Sequence, residues 1–163
     1  MHKIAQSGYT LIEMMIVVAI MGILATMATP SFQERVIRAQ VGEALALSEF
    51  AKESIANYYR VNKRMPKNNT EAGLPPPDKI MGNHVVSLEV NDGAINVRFG
   101  NRVNKNANGK ILSIRPAVVA AFPQVPIAWN CGTAEAPASM KTFGTNQTTL
   151  QGYFLPVDCR GEK

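Results

Sequence analysis

Hydrophobic positions follow two regimes along the first third of the chain. From Tyr9 to Thr29 the run is apolar all round, with Glu13 as its only charge. About 20 apolar residues are what a helix needs to cross the hydrocarbon core of a bilayer. A buried soluble helix would instead carry one apolar stripe. From Phe32 to Tyr59 the pattern changes, with no proline and a single glycine, Gly42. Here Ile37, Val41, Ala44, Ser48, Ala51, Ile55 and Tyr58 recur at spacings of three and four, while most of the charged residues lie off that stripe. This predicts an amphipathic helix packed on a core. Together the two stretches make about 50 residues, or about 75 Å of helix, and a small globular domain covers only the second half. Gly22 and Pro30 are its weak points, because glycine is flexible and proline lacks a backbone donor.

After the helix the period shifts toward two. Asn62 to Asn83 is punctuated by Pro66, Gly73, Pro75, Pro76, Pro77 and Gly82 and reads as a long loop. Val85–Val90 and Ala94–Phe99 flank Asn91-Asp-Gly93, which predicts a β-hairpin. Ile111–Ile114 and Val118–Phe122, split by Pro116, and Val125–Asn130 supply further short strands. Gly132–Thr149 shows no periodicity and reads as a loop. The expected fold class is α+β: a long N-terminal helix laid on an antiparallel sheet of about four strands.

Composition narrows this picture without changing it. The 163 residues suit one domain, and 46% hydrophobic with 18% charged residues suggests neither disorder nor a polytopic membrane protein. The net charge of +5 permits contact with anionic surfaces without requiring it. Of the two cysteines, Cys131 and Cys159, both independent thiols and one disulfide are open readings, and export would favour the disulfide.

Export rests on the first 30 residues. Positive charge lies on both sides of the apolar run, in Lys3 and in Arg35 and Arg38, so charge sets no orientation. A cleaved secretory signal with small residues at Ala25-Thr-Met-Ala28 and a plain membrane anchor both fit the length. Neither accounts for Glu13, since an ionisable group in a spanning helix is costly and calls for a cationic partner. An α-amino group at Tyr9, created by a cut after Gly8, is such a partner.

The segment Gly8-Tyr-Thr-Leu-Ile-Glu13-Met-Met-Ile-Val-Val-Ala-Ile-Met-Gly22-Ile-Leu-Ala resembles the prepilin signature of type IV pilins and type II secretion pseudopilins. The resemblance implies cleavage between Gly8 and Tyr9 by a prepilin peptidase, with N-methylation of Tyr9. It implies a leader over residues 1–8, a membrane and filament-core helix half over 9–30, and a globular domain over 31–163. Glu13 takes the place of the assembly glutamate, and Gly22 and Pro30 mark where similar pilins loosen the helix within the filament. Pro30 and Arg38 stand where similar pilins carry a proline and an arginine. Partners follow as other pilin subunits, the peptidase, the inner-membrane assembly machinery and the membrane itself, with DNA or host surfaces beyond. The implied location is the bacterial inner membrane before assembly and the cell surface afterwards.

Similar pilins also carry a C-terminal cysteine pair bounding a surface loop. A Cys131–Cys159 bridge would close a loop of about 29 residues, worth about 3–4 kcal/mol in the chain-entropy model. Major pseudopilins usually lack the pair and often bind calcium near the C-terminus. After Glu135 only Asp158 and Glu162 are acidic, too few for a calcium cage, which favours a pilin. No catalytic constellation, metal-binding histidine pair, cofactor motif or phosphate loop is found, so an enzyme is not expected. The alternative functions are a minor pilin acting as a DNA receptor and a pseudopilin. For the former, Arg98, Arg102, Lys105, Lys110 and Arg115 would have to converge, with Lys63, Arg64 and Lys67 as a second basic group.

Overall fold

The computed structural model describes residues 8–122 and 124–161, with the side chains of residues 28–31 left out. His2, Lys3 and Glu162 therefore lie outside the described residues, as does the side chain of Pro30. The chain divides into two compact units after Glu34. One helix, α1 (Leu11–Asn62), is continuous in backbone through Gly22 and Pro30.

Within the unit from Arg35 onward, α1 buries Ile37, Val41, Ala44, Ser48, Ala51, Ile55 and Tyr59. The predicted stripe therefore holds up to Ile55 and then passes to Tyr59 rather than Tyr58, since the residue four positions after Ile55 continues the face. Tyr58 is half-buried and donates its hydroxyl to Glu71 Oε2 at 3.3 Å. Ser48 is completely buried, and its hydroxyl meets the Leu45 carbonyl at 2.6 Å, so the polar atom is not left unpaired.

The strands are β1 (Val85–Asn91), β2 (Ala94–Phe99), β3 (Ile111–Val118) and β4 (Ala128–Cys131), antiparallel in the order β1-β2-β3-β4. A two-residue strand, β5 (Lys141–Thr142), pairs with β3 inside the stretch expected to be a loop. Leu88, Val90, Ile95, Val97, Phe99, Leu112 and Ile114 are buried and share one face of the sheet by register. They join the α1 stripe in a single core. The β1–β2 turn has Asp92 at φ 47° and Gly93 at φ 84°. Two successive positive φ values are what a tight type I′ hairpin needs, and Asp-Gly is a favoured pair for it.

Pro116 does not split a strand. β3 runs through it because β2 pairs with Ile111–Ile114 and β5 with Ala117–Val118, leaving proline where the ladder changes partners. The Pro116 carbonyl accepts from Phe143 N–H on that side, so the absent N–H faces the gap between the two partners. Two other boundaries move. Val119–Phe122 turns away from the sheet, and β4 begins at Ala128 rather than Val125.

The loop after α1 is held by its own polar groups. Asn69 is buried and donates to the carbonyls of Pro75 and Leu88, both at 3.0 Å, while accepting from Val90 N–H at 2.6 Å. Glu71 takes Arg64 Nη1 at 2.8 Å and Lys67 N–H at 3.0 Å. These donors, Arg64 first and Lys67 second, pull the Glu71 carboxyl from its usual 4.5 down to about 2. A carboxyl depressed on folding stabilises the native state fully above its unfolded value. That contribution disappears as pH falls through the folded value. Between about pH 4.5 and 2 the protein should therefore lose stability, and Glu71→Gln should flatten that part of the profile. Denaturation midpoints across this range, wild type against variant, check it; parallel profiles would count against it.

Candidate functional site

The N-terminal site is assembled locally. Helix α1 starts at Leu11, which makes Thr10 its cap and Glu13 its third residue. Thr10 N–H and Thr10 Oγ1 both meet Glu13 Oε2 at 2.8 Å, and Glu13 N–H reaches back to Thr10 Oγ1 at 3.4 Å. This is a reciprocal capping box, in which side chains at the first and fourth positions satisfy donors that the first helical turn leaves free. The Thr-x-x-Glu spacing ahead of an apolar run is the sequence signal for it. Glu13 thus binds its own helix start through one oxygen.

Around that carboxylate the surface is apolar. Leu11, Ile12, Met14, Met15, Ile16, Val17, Val18, Ile20, Met21, Ile23, Leu24 and Met27 are all exposed. An 18-residue window of α1 has mean hydropathy 2.4 and no buried residue, long and apolar enough to cross a membrane. So much exposed apolar surface is not tolerated in water and requires a cover. Gly8 and Tyr9 precede the helix, with Tyr9 84% exposed, so the bond between them is not packed against other described residues. A side chain at Gly22 would meet nothing within 4 Å.

The second feature lies in the globular unit. Cys131, at the end of β4, is disulfide-bonded to Cys159, with Cα atoms 4.7 Å apart. Gly132 sits beside the bond at φ 59°, and a Cβ there would fall 2.5 Å from the Cys159 carbonyl oxygen. Thr133 N–H bonds that same carbonyl at 3.0 Å. Within the bridged segment Leu155 and Phe154 enter the core, and Gln147 N–H and the Thr148 hydroxyl bond Ser113 on β3. Arg38 Nε and Nη2 both donate to the Tyr153 carbonyl, at 3.0 and 2.8 Å, joining α1 to the C-terminal segment.

The basic residues differ in their surroundings. Arg98, Arg102, Lys105 and Lys110 are exposed, but Arg115 is half-buried and donates to the Ala134 carbonyl at 3.1 Å. Arg64 is engaged by Glu71. His84 faces a carboxylate: its ring Nδ1 meets Glu43 Oε2, and its N–H meets Glu43 Oε1 at 3.2 Å. Burial opposes ionisation of Glu43, and the hydrogen bonds from His84 together with one from the Asn83 backbone outweigh it, so its carboxyl lies below the usual value.

A helix start that is apolar apart from one capped carboxylate, on a chain that also carries a helix-on-sheet unit with a C-terminal disulfide, defines a class: subunits whose exposed apolar segment must be covered by other molecules. Residues 37–160 match the pilin family of bacterial filaments, and residues 3–29 match the prokaryotic N-terminal methylation motif. The type IV major pilin protein PilE1 of Neisseria gonorrhoeae is 38% identical over 95% of this chain and 87% of its own length. A fimbrial protein of Neisseria meningitidis serogroup B is 41% identical over 95% of this chain and 94% of its own. The fimbrial protein EcpC of Eikenella corrodens is 37% identical over 91% and 99%, respectively. The chain belongs to the type IV pilins, and is a structural subunit of a bacterial surface filament rather than an enzyme.

Proposed function

We propose that this pilin is made as an inner-membrane precursor, cut between Gly8 and Tyr9 by a prepilin peptidase, and methylated on the new Tyr9 amine. The inner-membrane assembly machinery then adds it to a growing pilus used in adhesion, twitching motility or DNA uptake. In this reading residues 1–8 are leader, 9–30 serve first as anchor and then as filament core, and 31–163 form the outer domain. The observation that carries it is the exposed apolar segment with its single carboxylate, which fits both a bilayer and a bundle of like helices. The match to the methylation motif supports the processing step, and relatives named as major pilins favour a filament-forming subunit over a minor one. Gly22 and Pro30 would let α1 loosen inside the filament, because Pro30 has no N–H for the Thr26 carbonyl.

Processing is tested on sheared filaments by intact mass and N-terminal sequencing. The expected mature chain starts at N-methylated Tyr9. A start after Ala28 would mean an ordinary secretory signal and would overturn the reading.

A further inference from the structure

A cleft of about 530 Å³ opens between the end of α1 and the segment leading into β4, lined by Tyr59, Arg60, Lys63, Val125, Ile127 and Trp129. Its chemistry is mixed. Two aromatic rings and two aliphatic side chains make its apolar wall, and two cations edge it. Arg60 and Lys63 are exposed; among the described residues Arg60 Nη2 bonds a neutral group, Asn57 Oδ1, at 2.7 Å. Lys63 is the first residue past the helix, at φ 54°, with its N–H on the Tyr59 carbonyl. A matching occupant is apolar, stiff and acidic at one end.

The chain carries such a segment on the opposite edge of its sheet. Pro75 and Pro76 are exposed, Pro76 has polyproline-type angles (φ −52°, ψ 146°), and Asp78 follows in a short 3-10 turn packed beside β1. A polyproline ridge loses little entropy on docking and fits grooves walled by aromatic rings. The Pro75 carbonyl is already held by Asn69, so the ridge is preset. Among the described residues the Asp78 carboxylate meets its neighbour Lys79 at 3.2 Å, both about 70% exposed. Such a surface pair is worth little in water and gives way to a better-placed cation.

We infer that Pro75–Asp78 of one subunit docks in the Tyr59–Trp129 cleft of the next, with its carboxylate against Arg60 and Lys63. β1 and β4 are the two outer strands of the β1-β2-β3-β4 order. A contact joining opposite edges of identical subunits is head-to-tail: it closes into a ring or propagates into an open helix, and a filament subunit requires the second. This inference rests on the chain acting as a filament subunit and adds which surfaces meet.

The test uses filaments from cells producing only the variant Asn57→Cys/Lys79→Cys, both positions being exposed and beside the charge pair rather than in it, treated with a short bismaleimide. The expected product is a ladder of covalent dimers, trimers and higher species, absent from either single variant. Intact filaments yielding monomers, or dimers alone, would overturn the inference. In parallel, Lys63→Glu should lower filament yield about tenfold through like-charge repulsion with Asp78, and Asp78→Lys added to it should restore the yield. Loss without restoration would also overturn it. Wild-type filament yield and processing at Gly8 are measured alongside, so failure of the subunit reading shows there and not in the cross-link.

Discussion

Glu13→Ala is expected to abolish filaments while leaving processed protein in the membrane. The reason is the change of surroundings that assembly imposes. In a bilayer Glu13 would lie near the start of the apolar run, where water and headgroups reach a carboxylate and an isolated subunit is tolerated. In a filament core water is scarce, and a charge brought in without a partner is strongly unfavourable. The amine formed at Tyr9 of a neighbouring subunit is the proposed partner, and only one axial stagger brings amine and carboxylate together. The capping box adds a constraint that a bare charge argument lacks. Thr10 occupies Glu13 Oε2 with two donors at 2.8 Å, which aims the carboxylate and leaves Oε1 for the incoming amine. Alanine removes the charge and the cap together, whereas Glu13→Asp keeps the charge one methylene short and should be partly defective. Thr10→Val keeps the carboxylate but removes the hydroxyl bond, and should lower yield less than alanine at position 13. The measurement is processed protein in membranes against filaments in the sheared fraction. Normal filament yield from Glu13→Ala would rule the pairing out.

Much of the fold was legible because it depends on periodicity and on residues with few conformational options. The α1 stripe from Ile37 to Ile55 follows from helical spacing, and the β1–β2 hairpin follows from Asp92-Gly93, the pair that tolerates two positive φ values. What was not legible depends on which strand lies beside which. Pro116 reads locally as a break, yet the change of partner from β2 to β5 leaves a place for a residue without an N–H. β5 is too short to announce itself and exists because Lys141 and Thr142 pair with a preformed β3. Asn69 in the long loop looks like any turn asparagine; its role as a buried bracket between loop and β1 requires the Leu88 and Val90 backbone to be in place.

The N-terminal site divides the same way. Its charge and apolar setting are written in the sequence. Its capping box is written there too, in the Thr10-to-Glu13 spacing, but the apolar run that follows makes Glu13 stand out as a membrane charge and hides its part in the cap. The cleft beside Trp129 had no sequence signal, because Tyr59 and Trp129 are brought together only when α1 packs on the sheet.

Cys159→Ser should destabilise the subunit by about 3 kcal/mol, a fall in melting temperature of about 6–12 °C for a chain of this size. The bridge joins positions 28 residues apart and ties the C-terminal segment to the end of β4. Without it the unfolded chain regains the entropy of an open loop, and the folded one has only noncovalent contacts to keep the segment down. Those contacts are substantial: Leu155 and Phe154 are buried, and Arg38 holds the Tyr153 carbonyl from α1. The variant is therefore expected to fold at moderate temperature, with the segment opening first and becoming the site of proteolytic cutting. Gly132 sharpens the test, since at φ 59° and against the Cys159 carbonyl it accepts no side chain. Gly132→Ala should force the β4 end away from residue 159 and lower stability with the disulfide still formed. Melting curves of wild type, wild type with reductant, Cys159→Ser and Gly132→Ala separate the two contributions. Reductant should shift the wild type to the Cys159→Ser value and leave that variant unmoved. The proposed cleavage at Gly8 should be the same in all of them, because Gly8 belongs to the other unit of the chain. A Cys159→Ser protein as stable as wild type, or free thiols in unreduced mature protein, would contradict a role for the bridge in holding the loop.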